Sequence, residues 1–122
     1  DLTICTTVLE DAGRYGRIKR DENGNPVKIV EYKELDNDED RNIKEINVGN
    51  MCFKGSALKK CLDLIDHNNA AGEYYIVDAV KICAENGMKI ETLVMDSFEE
   101  GLGANTQQDL KYLEEVYKKL NA

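Results

Sequence analysis

"NNAAGEYYIVDAVKICAENG", residues 68–87, decides how the chain is built. In its second half Ile76, Ala79, Val80 and Cys83 recur with helical spacing, which predicts a helix from about Tyr75 to Asn86 with those four turned inward. Gly87 stands just past the last periodic residue, where a helix commonly ends in a left-handed backbone. The first half is dense in amides, a carboxylate and two tyrosines, a composition that faces something rather than fills a core. Immediately downstream, "MKIETLVM" (88–95) reads as a short strand. A helix between strands excludes an all-helical bundle and points to a layered sheet.

Working outward, "TICTTVL" (3–9) is β-branched and continuous, which suits a central strand. "GRIKR" (16–20) and "VKIVEYK" (27–33) flank "DENGNP", whose Asn-Gly step is a strong short-range signal for a hairpin turn. A further strand is expected around Ile46 to Phe53, ending at Gly55. Ser56 is placed to cap a helix in "ALKKCLDLIDHN" (57–68), with Leu58, Cys61, Leu62 and Ile65 inward and Lys59 and Lys60 outward. The last helix is "NTQQDLKYLEEVYKKL" (105–120), with Thr106 and Asp109 in capping-box register and Leu110, Leu113, Tyr117 and Leu120 along one side. Strands and helices alternate, with a hairpin inserted, so the expected fold is α/β: a mixed sheet with a β-hairpin insertion and flanking helices.

Composition bounds the function. A chain of 122 residues suits one domain that buries roughly two thirds of its unfolded surface. No apolar run approaches the length of a membrane span, and the N-terminus lacks the basic and apolar blocks of a signal peptide, so a cytoplasmic protein without membrane contact is expected. Sixteen basic against 24 acidic residues give a net charge of −8, which disfavours nucleic acid as a partner. The acids concentrate in "ELDNDEDRN" (34–42), read as a solvated loop because a calcium loop needs ligand spacings and a turn glycine that this stretch lacks. Cys5, Cys52, Cys61 and Cys83 lie far apart among apolar neighbours and read as core thiols in a reducing compartment. "DLTICTTVLE" opens the chain with no initiator methionine or preceding turn, and reads as cut from something longer.

Four stretches then carry a resemblance. "GRYGRIKRDENGNPVKIVEYKE", "IKEINVGNMCF", "NNAAGEYYIVDAV" and "GLGANTQQDL" resemble, in order and with similar gaps, the second half of the N-acetylglucosamine-1-phosphate uridyltransferase domain of a usually bifunctional bacterial enzyme. The resemblance spans nearly the whole chain. It implies a fragment of a Rossmann-like sugar nucleotidyltransferase domain. Residues 1–122 would be its C-terminal, sugar-binding half, and the nucleotide-binding N-terminal half would be absent. The implied reaction joins UTP and N-acetylglucosamine-1-phosphate into UDP-N-acetylglucosamine and pyrophosphate, a step toward peptidoglycan precursors. Neither G-x-G-x-x-G nor a P-loop occurs in the chain, so the isolated fragment is expected to be inactive.

The resemblance also implies roles. The backbone at Gly16 and the side chains of Glu31 and Asn47 would hold the amino sugar, Tyr75 would line the N-acetyl pocket with Glu73 supporting it, and Asn105 would bind Mg2+ together with an aspartate from the other half. These roles suit the residue types: a carboxylate accepts from hydroxyls, an amide donates and accepts, glycine admits close backbone approach, and magnesium takes oxygen ligands. Read without the resemblance, Gly16 eases a bulge, Glu31 is a solvated strand residue and Asn105 caps the last helix. The family commonly has threonine where Val48 and Val77 stand, and an arginine where Gln107 stands. A related nucleotidyltransferase acting on another sugar phosphate is therefore one alternative; a free-standing, non-catalytic interaction or dimerisation module with no catalytic partner half is another. A missing half would leave "TICTTVL" with an unpaired edge and an uncovered apolar face, so the fragment is expected to self-associate.

Overall fold

The computed structural model describes residues 1–104 and 106–122. Strands β1 (Leu2–Val8), β2 (Arg17–Arg20), β3 (Pro26–Val30), β4 (Glu45–Phe53) and β5 (Ile90–Val94) form one sheet in the order β3-β2-β4-β1-β5. β1 runs antiparallel to β4 and parallel to β5, so the sheet is mixed. Helices α1 (Asp38–Arg41), α2 (Gly55–Leu64), α3 (Asp78–Glu85) and α4 (Gln107–Leu120) flank it. This is the α/β architecture with inserted hairpin that the alternation of patterns predicts.

One core joins the sheet to two helices. Leu2 and Ile4 of β1, Ile18 of β2 and Ile29 of β3 pack with Cys61 of α2 and Ala79, Val80 and Cys83 of α3. Full burial of each large aliphatic side chain contributes roughly 1.5–3 kcal/mol before the entropy of ordering is subtracted. α3 presents a narrow inward stripe, as its spacing predicts, and ends where Gly87 takes φ +65° and Met88 N–H donates to Cys83 O at 2.9 Å. The hairpin closes through Gly24 at φ +82°, with Asp21 Oδ1 accepting from the backbone of Asn23 and Asn25. β1 and β4 lose register between Ile4 and Thr6, and Gly49 of β4 takes up the irregularity with φ +108°.

Several expectations are corrected. β1 is not an edge: β4 and β5 flank it, and the sheet's margins are β3 and β5. α2 begins at Gly55 after Lys54, so Ser56 lies inside the first turn and caps nothing, and Leu62 points to solvent because Ala57 and Cys61 define the inward line. α3 starts at Asp78 rather than Tyr75. The residues before it form successive tight turns, with Asp78 N–H donating to Tyr75 O and Ala79 N–H to Ile76 O, which leaves Ile76 45% exposed.

Nor is the acidic stretch wholly a solvated loop. Asn37 accepts from Asp40 N–H to cap α1, and Asp40, only 5% exposed, pairs with Lys19 at 2.8 Å. Of the four thiols, Cys61 and Cys83 are fully buried with sulfurs 3.5 Å apart, Cys5 is half-buried, and Cys52 is exposed. Met51 and Phe53 take the core side of β4, and the two-residue period of a strand turns Cys52 away. α4 has the expected capping box between Thr106 and Asp109, yet it buries Val116 and leaves Leu110, Tyr117 and Leu120 exposed. No helix among the described residues is long and apolar enough to cross a membrane.

Candidate functional site

The site grows from the point where the hairpin joins β4. β2 meets β4 at Arg17 opposite Ile46, which sets Gly16, just before β2, beside Asn47. Asn47 N–H donates to Gly16 O at 2.9 Å. On its other side Gly16 is pressed against β3: an added Cβ would lie 2.9 Å from Ile29 Cγ2 and 3.2 Å from Glu31 Oε1. Only a residue without a side chain fits there. Gly16, Glu31 and Asn47, distant in sequence, therefore converge.

Glu31 sits where β3 gives way to the tight turn Tyr32–Glu34. It is half-buried, and that burial, followed by repulsion from Glu34 and Asp78, pushes its pKa above the ordinary carboxylate value. Asp78, at the start of α3, is raised for the same reasons, burial first and Glu34 next. The Tyr75 phenol is pushed up by partial desolvation and by Glu73, Glu31, Glu34 and Asp78. Tyr75 and Glu31 thus lie within electrostatic reach of each other, and the group as a whole carries negative charge.

The "NNAAGEYY" loop owes its shape to one amide. Asn69 Oδ1 accepts from Ala71 N–H at 3.1 Å and Glu73 N–H at 3.2 Å, while its Nδ2 donates to Glu73 O. Gly72 at φ +65° lets the chain turn within that ring of bonds. Glu73 is exposed, Tyr75 is half-buried, and Tyr74 points outward, its ring 5.2 Å from that of His67.

Val48 and Val77, two of the three departures from the resemblance, have packing roles. An added Cβ at Gly101 would lie 2.2 Å from Val48 Cγ1, so the Phe98–Gly101 turn is seated on the valine methyl. Val77 packs against the core. Asn105 lies outside the described residues. Among the described residues no group of three or more histidine, cysteine, aspartate or glutamate side chains could hold a metal ion.

Sequence reasoning passed over Arg17, Glu34, Asn69 and Asp78. Arg17 and Asn69 stood inside the quoted motifs, one beside Gly16 and the other three residues before Gly72, in loops that need something to hold them. Glu34 and Asp78 carried no local signal, since only the fold brings them to Glu31. Chemically the assembly offers a carboxylate, an amide and a phenol, which suits a neutral ligand rich in hydroxyls and disfavours an anionic group at the same spot.

No protein-family model matches the chain. Curated proteins do. Over 117 residues, 96% of this chain and 25% of the relative, it is 40% identical to the bifunctional protein GlmU of Clostridioides difficile (strain 630). It is also 40% identical over 116 residues, 95% of this chain and 25% of the relative, to the bifunctional protein GlmU of Bacillus subtilis (strain 168). The chain is similar to a segment of GlmU. With GlmU of Listeria monocytogenes serotype 4a (strain HCC23) the identity is 46% over 103 residues, 84% of this chain and 22% of the relative. The chain thus spans about a quarter of the length of the GlmU relatives it matches.

Proposed function

We propose that this chain is the sugar-binding half of a nucleotidyltransferase domain that forms UDP-N-acetylglucosamine and pyrophosphate from UTP and N-acetylglucosamine-1-phosphate. The observation that carries the reading is the convergence of Gly16, Glu31 and Asn47: Asn47 N–H donates to Gly16 O at 2.9 Å, and Ile29 and the Glu31 carboxylate crowd out a side chain at position 16. Similarity to GlmU supports it. Glu31 accepts from sugar hydroxyls, Asn47 and the backbone at Gly16 fix the sugar's orientation, and Tyr75, supported by Glu73, walls the N-acetyl group.

The negative charge around Glu31 turns the substrate's phosphate outward, toward the nucleotide. Holding the sugar phosphate in line with the nucleotide's α-phosphorus supplies much of the rate through positioning. The nucleotide cradle belongs to the other half of the domain in the parent protein. Magnesium, when bound, neutralises phosphate charge, and Asn105 is the residue proposed to hold it. Among the described residues no cluster of three or more histidine, cysteine, aspartate or glutamate side chains is placed to hold the ion, so its remaining ligands would come from the other half and the substrates. A cytoplasmic setting is part of this proposal, in keeping with a chain whose described helices are none of them long and apolar enough to cross a membrane.

The test is kinetic, in the parent protein. Glu31→Ala and Asn47→Ala should each raise KM for the sugar phosphate or lower kcat, with UTP binding nearly unchanged. Loss of a hydrogen bond to a charged group costs about 1.5–3 kcal/mol, so Glu31→Ala should lose roughly tenfold to a hundredfold in kcat/KM. Unchanged kinetics in both variants would reject the sugar site. A parent that prefers another sugar-1-phosphate would keep the site and change its substrate. The 122-residue chain alone should release no pyrophosphate.

A further inference from the structure

We propose that Arg17 is a positioning residue: its buried guanidinium clasps the backbone of the Ala12–Gly16 loop and fixes the point at which Gly16 meets Glu31 and Asn47. The proposal rests on the reading above only in calling that meeting point a sugar site. The clasp itself stands on geometry. Nη1 donates to Ala12 O at 3.1 Å and to Tyr15 O, and Nη2 donates to Gly13 O at 3.0 Å. Three carbonyls of one short loop are thus gathered on one planar cation.

Arginine is almost never fully buried unless its charge is paired. Arg17 is 5% exposed, and among the described residues it makes no ion pair with a carboxylate. Its Nε is buried without a hydrogen-bond partner. A residue kept only to fill space would be cheaper as an aliphatic side chain, which strands nothing. What the guanidinium provides instead is a rigid fork, which a lysine ammonium does not reproduce.

The position of Arg17 explains what the fork is for. Arg17 opposite Ile46 is the pair at which β2 meets β4, and Asn47 follows directly. Gly16 precedes Arg17, and Arg17 itself pairs with Val30, the residue before Glu31. Every member of the convergence is therefore one residue from the clasp or from its strand partners. Fixing the loop fixes the register that brings them together.

The test uses the 122-residue chain and nuclear magnetic resonance. In the wild type, the Arg17 side-chain N–H groups should give separate, slowly exchanging signals, because rotation about the terminal C–N bonds breaks the clasp. Arg17→Lys should speed exchange of the Asn47 amide tenfold or more while the core amides of Ile4 and Val80 exchange as before. It should also weaken binding of N-acetylglucosamine-1-phosphate at least tenfold. A freely rotating wild-type guanidinium overturns the clasp, and decides the matter alone should Arg17→Lys not fold. A variant with wild-type Asn47 exchange overturns it as well. If the clasp signature is present and the wild type binds no sugar phosphate, the clasp stands and the sugar reading falls. If the variant loses the clasp and binds the sugar phosphate as tightly as wild type, the positioning role is wrong.

Discussion

Gly16→Ala tests the convergence most directly, because the structure says what the added carbon meets. The new Cβ would lie 2.9 Å from Ile29 Cγ2, where carbon atoms prefer about 3.5–4.0 Å. Ile29 is 1% exposed and cannot swing into solvent. The second neighbour, Glu31 Oε1 at 3.2 Å, can yield only by moving the carboxylate off its place. Gly16 is not among the glycines with positive φ, so the penalty is steric and not one of backbone strain.

Overpacking of this kind costs roughly 1–3 kcal/mol. The stiffer unfolded chain returns about 0.4–1 kcal/mol. The net destabilisation should be roughly 1–2 kcal/mol, a fall of about 0.5–1 M in the urea midpoint at an m-value near 2 kcal/mol/M. The cause can be isolated with Ile29→Leu, which removes the offending Cγ2 at nearly constant volume. In a double-mutant cycle the two changes should couple favourably by at least about 0.5 kcal/mol. Gly24→Ala is the control: nothing lies within 4 Å of its added Cβ, its φ is +82°, and its cost should be independent of Ile29. A Gly16→Ala chain as stable as wild type, or one strictly additive with Ile29→Leu, would show that the close approach is not what the structure says it is.

Stability should depend on pH in two opposed ways. The hydrogen bond from Lys19 holds Asp40 below its usual pKa; burial would raise Glu45, but bonds from Arg20 and Thr6 outweigh it, so both contribute stability above the ordinary carboxylate range that is lost as pH falls. Asp40→Asn should therefore flatten the acid limb of a urea-midpoint profile. Glu31, raised by burial, has the opposite sign, with stability present below its unfolded pKa and lost as pH rises through the folded one. Glu31→Gln should thus gain stability at neutral pH, by less than about 1 kcal/mol because solvent screens a half-exposed group, and a loss there would contradict the assignment. Thr106→Ala removes the bond accepted from Asp109 N–H at 3.1 Å and should cost about 1 kcal/mol, read as reduced helical content on heating. Self-association is expected through the margin at β5, where Leu93 is 58% and Val94 52% exposed, and Leu93→Lys should suppress it in light scattering; a strictly monomeric wild type refutes the expectation.

Local pattern by itself determined the five strands, the three longer helices and the core of α3. Ala79, Val80 and Cys83 follow from helical spacing, the hairpin from Asn23-Gly24, and the α4 capping box from Thr106 and Asp109, because each of these signals acts within a few residues of chain. Local pattern also misled where two helical faces were comparably apolar: Leu62, Ile76 and Tyr117 match an inward stripe, yet the angle at which each helix or turn meets the sheet left them outside. The tertiary structure alone decided that β1 lies between β4 and β5, that Asp40 is a buried partner of Lys19, and that Glu34 and Asp78 gather around Glu31. Motif and resemblance named Gly16, Glu31 and Asn47 one by one. Their convergence depends on strand register, and register is set by pairing between segments far apart in the chain, here at Arg17 opposite Ile46.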